Sequence, residues 1–236
     1  MPEPTIRRCE FCGRVLRERD RVSFGGLSHA FYETCGCPGA VEHRRRVEQA
    51  LNHDAEERAR LVSEAKAAAY ERAIDAAGIP ERYRDARVDW FKPDLYIVGS
   101  VGSGKTWLGC ALARHAVDDG MRVIWTTGVD IIGRLHSTYD GSRETEDEVV
   151  GEYSRCDLLV IDDLGKEKPT EYCKSALFRI VNARYNAVLP LIVTSQFERG
   201  ELCRRWGNDE TAFAIVSRLK EMTDRYEVTG PDRRLS

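Results

Sequence analysis

The 236-residue sequence has no apolar run approaching the length of a membrane-spanning helix. Its start, Met1 to Arg8, lacks the apolar core of a secretory signal. Both absences lead to the expectation of a cytoplasmic chain with no membrane partner. Charge of one sign is also missing: 36 Lys plus Arg stand against 39 Asp plus Glu, a formal net charge of −3. Nothing global therefore draws the chain to nucleic acid, and any DNA contact must come from a local patch. There is no internal repeat, which excludes a solenoid. From Val41 to Ala77 there is neither Gly nor Pro, which excludes a turn and leaves a long helix rich in Ala, Glu and Arg. Its apolar stripe, Val47, Leu51, Leu61, Ala65 and Ala69, is thin, as suits a solvated connector.

Cysteine is present but unevenly spread. Four of the eight lie in the first 37 residues as two close pairs, Cys9-x-x-Cys12 and Cys35-Gly-Cys37. The other four, Cys110, Cys156, Cys173 and Cys203, sit in apolar or helical segments and read as core thiols. This distribution favours zinc in reducing surroundings over a disulfide framework. The N-terminal segment has too few apolar residues to fold alone, and zinc on Cys9, Cys12, Cys35 and Cys37 would supply the missing stability, with His29 an alternative ligand. Three parts are expected: a zinc-binding module over 1–40, a helical connector over 41–77 and a larger domain over 78–236.

The larger part alternates strand-like and helix-like runs. Strands are expected at Leu95–Val98, Arg122–Thr126, Leu158–Ile161 and Leu189–Thr194. Continuous apolar strands separated by helices imply an α/β fold whose parallel sheet is covered on both faces. The polar stretch Asp140–Glu148 reads as a surface loop.

The run Gly99, Ser100, Val101, Gly102, Ser103, Gly104, Lys105, Thr106 has the spacing of a phosphate-binding loop, with a strand before it and a helix after it. Glycines let backbone N–H groups turn onto the phosphates of ATP, Lys105 neutralises the β and γ phosphates, and the Thr106 hydroxyl ligates Mg²⁺. The stretch Cys156–Gly165 is an apolar strand ending in two carboxylates. Asp162 would hold Mg²⁺ and Asp163 would orient or deprotonate the attacking water. A third strand ends in Thr194, Ser195 and Gln196, and either Ser195 or Gln196 could hold that water against the γ phosphate. The Arg44 to Arg46 run, Trp107 and Trp125 read as solvated or packed side chains and carry no DNA assignment. On local grounds Arg218 is an ordinary helix-face residue.

The order of motifs, from Ile79–Tyr83 through the phosphate loop, the Asp162-Asp163 pair, the Thr-Ser-Gln strand end and Ser217-Arg218-Leu219 to Gly230–Arg234, resembles the DnaC/DnaI-type helicase loaders. These are AAA+ ATPases related to the IstB transposition ATPase. The resemblance covers about residues 79–234, and the leading cysteine module looks like that of a loader. It implies an AAA+ P-loop fold, self-association, and a replicative DNA helicase and single-stranded DNA as partners. It gives Arg218 the role of a finger on a neighbouring subunit's ATP, and Arg234 that of a second nucleotide sensor. Gln196 stands where Asn is more usual and Asp163 where many relatives carry Glu, so slow ATP hydrolysis, stimulated by assembly or DNA, is expected. A transposition ATPase and a nucleotide-gated adaptor with little hydrolysis are the alternatives.

Overall fold

A computed structural model describes residues 6–24, 27–139 and 143–230. Two compact units are distinguished, Met1–Ala67 and Ala68–Ser236. In the first, an antiparallel hairpin of β1 (Glu18–Phe24) and β2 (Leu27–Tyr32) follows a tight turn at Cys9–Gly13. Among the described residues its buried cluster is small: Cys9, Cys35 and Ala40, with Leu16 and Cys37 against it. Such a core is far too little to hold a fold, which is why the cysteines matter.

Helix α1 runs Pro38–Ala77, beginning three residues before the expected start. Through the first unit it is almost wholly exposed, Val47, Leu51, Leu61 and Val62 included. Its last turns belong to the second unit, where Ile74 and Ala77 are buried and Tyr70 donates to Asp118 at 2.5 Å.

The second unit is built on a five-stranded, all-parallel sheet: β3 (Leu95–Val98), β4 (Val123–Thr127), β5 (Leu158–Asp162), β6 (Leu191–Ser195) and β7 (Asp224–Glu227), in the order β4-β5-β6-β3-β7. The inner strands β3, β5 and β6 are buried at every residue. Alternate side chains feed two cores. Leu95, Ile97, Leu158, Val160 and Ile192 face α2 (Lys105–Asp118) and the end of α1. On the other face, Tyr96, Leu159, Ile161, Leu191 and Val193 pack with α3 (Gly128–Ser137), α4 (Glu146–Arg155), α5 (Glu171–Ala187), α6 (Arg199–Arg205) and α7 (Glu210–Met222). This is the expected α/β architecture, and the four outlying cysteines are all buried in it.

Two expectations change. Part of the polar stretch assigned to a loop is helical: α4 starts at Glu146, because Thr145 and Glu148 form a reciprocal capping box. Residues 140–142 lie outside the described residues. The fifth strand, β7, was not expected at all, since its sequence Asp-Arg-Tyr-Glu is polar and every residue is exposed.

Candidate nucleotide site

The phosphate loop joins the end of β3 to the start of α2. Gly102 and Gly104 take positive φ of 75° and 105°, backbone that only glycine adopts without strain. Gly99 is required for a different reason: a Cβ there would stand 2.3 Å from the Val228 carbonyl oxygen, where the chain leaves β7. Helices α3, α4, α5 and α7 are each capped by a side chain, from Thr127, Thr145, Thr170 and Asp209. Helix α2 differs: Gly104 offers no cap, and the first turn holds no acid. Its first N–H groups are thus left to an external acceptor, and the positive end of the helix dipole favours phosphate. Lys105 is buried, and its Nζ donates to the carbonyls of Gly99 at 2.9 Å and Ser100 at 2.8 Å. Ser103 is also buried, with no hydrogen-bond partner at Oγ.

Thr106 Oγ1 donates to Asp162 Oδ2 at 3.0 Å, bringing the loop and the end of β5 together. The other carboxylate oxygen, Oδ1, accepts from Thr194 Oγ1 at 2.5 Å. Burial raises the Asp162 carboxyl above its ordinary value; the Thr194 hydrogen bond opposes this, and the Asp163 charge adds to it. A nearby cation would favour the ionised form. Asp163 sits just past the strand at φ 53°, its N–H donating to Thr194 Oγ1 at 2.9 Å and its carboxylate 3.7 Å from Lys166 Nζ.

A cleft of about 210 Å³ opens at this point, lined by Arg82, Tyr83, Val101, Gly102, Gly104, Lys105, Thr106, Trp107, Asp163, Lys166 and Gln196. Of the two candidates at the end of β6, the structure brings Gln196 into the cleft. Ser195 is buried, its hydroxyl donating to the Leu164 carbonyl at 2.7 Å and accepting from Phe197 N at 3.1 Å. Strand alternation explains the split: Thr194 and Gln196 share one side and Ser195 takes the other. That period of two was readable in the sequence, yet Thr194 was passed over. Trp107, expected to be packed, is 38% exposed at the cleft. Arg218 is not part of the cleft lining. It lies against α5, where Nε donates to Asn182 Oδ1 at 2.9 Å and Nη1 to the Ala214 carbonyl at 3.0 Å, with the rings of Phe178 and Tyr185 beside the guanidinium. Arg234 lies outside the described residues.

In the first unit the four cysteine sulfurs lie within 4.8 Å of one another, Cys12–Cys35 at 3.5 Å and Cys9–Cys37 at 3.8 Å. A tetrahedral zinc with bonds of about 2.3 Å needs sulfurs about 3.8 Å apart, so the cluster fits this metal. A backbone hydrogen bond at Phe11 draws the Cys9 thiol down to about 7, while Cys12, despite a backbone hydrogen bond at Arg14 that lowers it, is pushed up by the neighbouring thiols. Arg44 is exposed, as expected of a solvated helix face, and also donates to the Cys35 carbonyl at 2.8 Å. His29 is exposed on β2 and is not in the cluster.

A parallel sheet in this order, a phosphate loop between a strand and α2, and a buried Asp at the end of β5 define a P-loop nucleotide-binding protein of the AAA+ type. The profile of the IstB-like ATP binding proteins matches residues 40–236, and the chain belongs to that family. An insertion-sequence ATP-binding protein of Sinorhizobium fredii is 30% identical over 149 residues, 62% of this chain and 58% of that protein. The replicative helicase loader DnaC of Escherichia coli K12 is 28% identical over 109 residues, 46% of this chain and 44% of that protein. The chain thus spans about half the length of these curated relatives. The crystal structure of the DnaC helicase loader shares the fold with a TM-score of 0.54 at 24% identity, covering 64% of this chain and 100% of that one. That of DnaI gives 0.51 at 24% identity, covering 69% and 83%. Among the described residues no helix is long and apolar enough to cross a membrane.

Proposed function

We propose that this protein is an ATP-dependent loader of a replicative DNA helicase, binding and slowly hydrolysing ATP in the cleft at Lys105. The observation that carries the ATPase reading is the convergence of Lys105, Thr106, Asp162, Asp163 and Gln196 at the uncapped start of α2. Lys105 leaves its two loop carbonyls for the β and γ phosphates. Thr106 and Asp162 would hold Mg²⁺, which when bound would neutralise charge on the phosphates. Asp163 orients the attacking water or takes its proton, and Gln196 holds that water from the opposite strand end. Asp163 reaches one methylene less far than Glu and has Lys166 beside it, which supports slow turnover.

The loader is favoured over a transposition ATPase by the cysteine cluster. It lies wholly before residue 40, outside the segment matched by the family, and supplies a separate module for gripping the helicase. Arg218, outside its own chain's cleft, supports a finger that serves a neighbouring subunit in an ATP-bound assembly tracking single-stranded DNA. The test uses the full chain. ATP turnover is measured with and without single-stranded DNA, and retention on an immobilised replicative helicase is compared with retention on a transposase. Stimulated turnover with helicase retention is expected. Transposase retention alone would move the protein to the alternative, and ATP binding without turnover would leave a nucleotide-gated adaptor.

A further inference from the structure

We infer that Thr194 is the positioning residue of the magnesium site, fixing the Asp162 carboxylate and the Asp163 backbone through one buried hydroxyl. The inference rests on the nucleotide-site reading above. Thr194 is fully buried on β6, and its Oγ1 makes two bonds in a chain: Asp163 N–H donates to Oγ1 at 2.9 Å, and Oγ1 donates to Asp162 Oδ1 at 2.5 Å. A hydroxyl has one proton and can both give and accept, so the two bonds use complementary capacities and polarise each other. Valine has the same shape and neither capacity.

Asp162 has two hydroxyl partners with different duties. Thr106 belongs to the cleft lining, and its oxygen is the one a metal would share. Thr194 is reached by no ligand, so its bond keeps the carboxylate plane fixed whether or not the cleft is filled. The N–H it accepts belongs to a non-glycine residue at φ 53°, a conformation that needs surrounding support. The carboxylate reading Mg²⁺ and the one facing water are thereby registered to β6, two residues before Gln196. The Thr194 methyl adds packing: a Cβ on Gly109 of α2 would stand 3.2 Å from Cγ2.

The experiment measures ATP affinity in the presence of Mg²⁺ and in EDTA for wild type, Thr194→Val, Thr194→Ala and Thr194→Ser, with thermal melts of each. We expect the Mg²⁺-dependent gain in affinity to fall about tenfold in the Val and Ala variants, the worth of one hydrogen bond to a charged group. Affinity in EDTA should stay within about threefold, and Ser should recover most of the gain. A Ser variant as impaired as Ala would overturn the inference in favour of methyl packing, and so would Val or Ala retaining the full gain. Ala carries no methyl against Asp162, so failure of the Val variant to fold leaves the Ala and Ser comparison decisive. If wild type binds no ATP in either condition, the nucleotide-site reading fails and this inference fails with it.

Discussion

Replacing Lys105 by alanine separates the nucleotide reading from a merely structural one, because the two predict different magnitudes. In the free protein the buried ammonium is held by the carbonyls of Gly99 and Ser100. Gly99 is only partly buried and Ser100 is exposed, so water can reach those carbonyls once the ammonium is gone. The folded state should then lose about 2 kcal/mol, about 1 kcal/mol for each of the two hydrogen bonds, or roughly 4–8 °C in Tm for a chain of this size. Binding is another matter. Hydrogen bonds between an ammonium and phosphate oxygens contribute about 1.5–3 kcal/mol each, against about 1 kcal/mol for each carbonyl bond given up. Two exchanged bonds leave a net loss of about 1–4 kcal/mol, centred at about 2.5 kcal/mol or roughly 60-fold in Kd for ATP. AMP, which has no β or γ phosphate, should bind the variant and wild type alike. Calorimetric titration with ATP and AMP, alongside a melt, checks both halves. An ATP affinity within about fivefold of wild type, or an equal loss for AMP, would refute the placement of the phosphates.

Protein purified under reducing conditions should hold about one zinc per chain, and chelation should unfold the first unit while ATP binding persists; absence of the metal, or full retention after Cys37→Ser, would refute the four-cysteine site. Arg218→Ala should leave ATP affinity within about threefold yet reduce turnover at least 10³-fold, with partial recovery on mixing with Lys105→Ala chains. Lost packing on Phe178 and Tyr185 lowers Tm under either reading, so the mixing assay decides. Burial raises the Asp162 carboxyl in the folded protein, so its ionisation costs folding stability as pH rises from the usual carboxylate value through the raised one. Asp162→Asn removes that cost. The Tm advantage of the metal-free variant should accordingly be near zero in acid and grow as pH rises towards neutral, and a flat or negative difference would show that the burial argument is wrong.

The parallel sheet could be read from the chain because its inner strands are apolar at every position, the mark of a sheet covered on both faces. Strand β7 escaped because its pattern records none of this. All four of its side chains are exposed, and it exists by pairing in register with β3, Leu95 opposite Asp224 through Val98 opposite Glu227. Pairing of that kind is a property of the neighbour and leaves no local signature. The start of α4 failed differently, since the charges of Glu146 to Glu148 were taken for loop polarity when three of them in a first turn, behind a Thr, are a helix start.

At the site, the legible residues were those whose chemistry needs a fixed spacing along the chain. The loop from Gly99 to Thr106 is contiguous because one turn and one helix terminus must wrap a phosphate, and the Asp pair is contiguous because it ends one strand. Thr194 works through space: its partners lie 31 and 32 positions away in sequence, and only the pairing of β5 with β6 brings them within hydrogen-bond reach. Arg218 lies one step further from the chain. Within a single chain its guanidinium is accounted for by Asn182, Ala214 and two rings, as any structural arginine would be, and the cleft closes without it. To reach a phosphate on another molecule Arg218 must exchange these contacts for new ones, and a single chain shows only the first set. That is why the mixing assay, which supplies the second molecule, is the measurement able to tell the two apart.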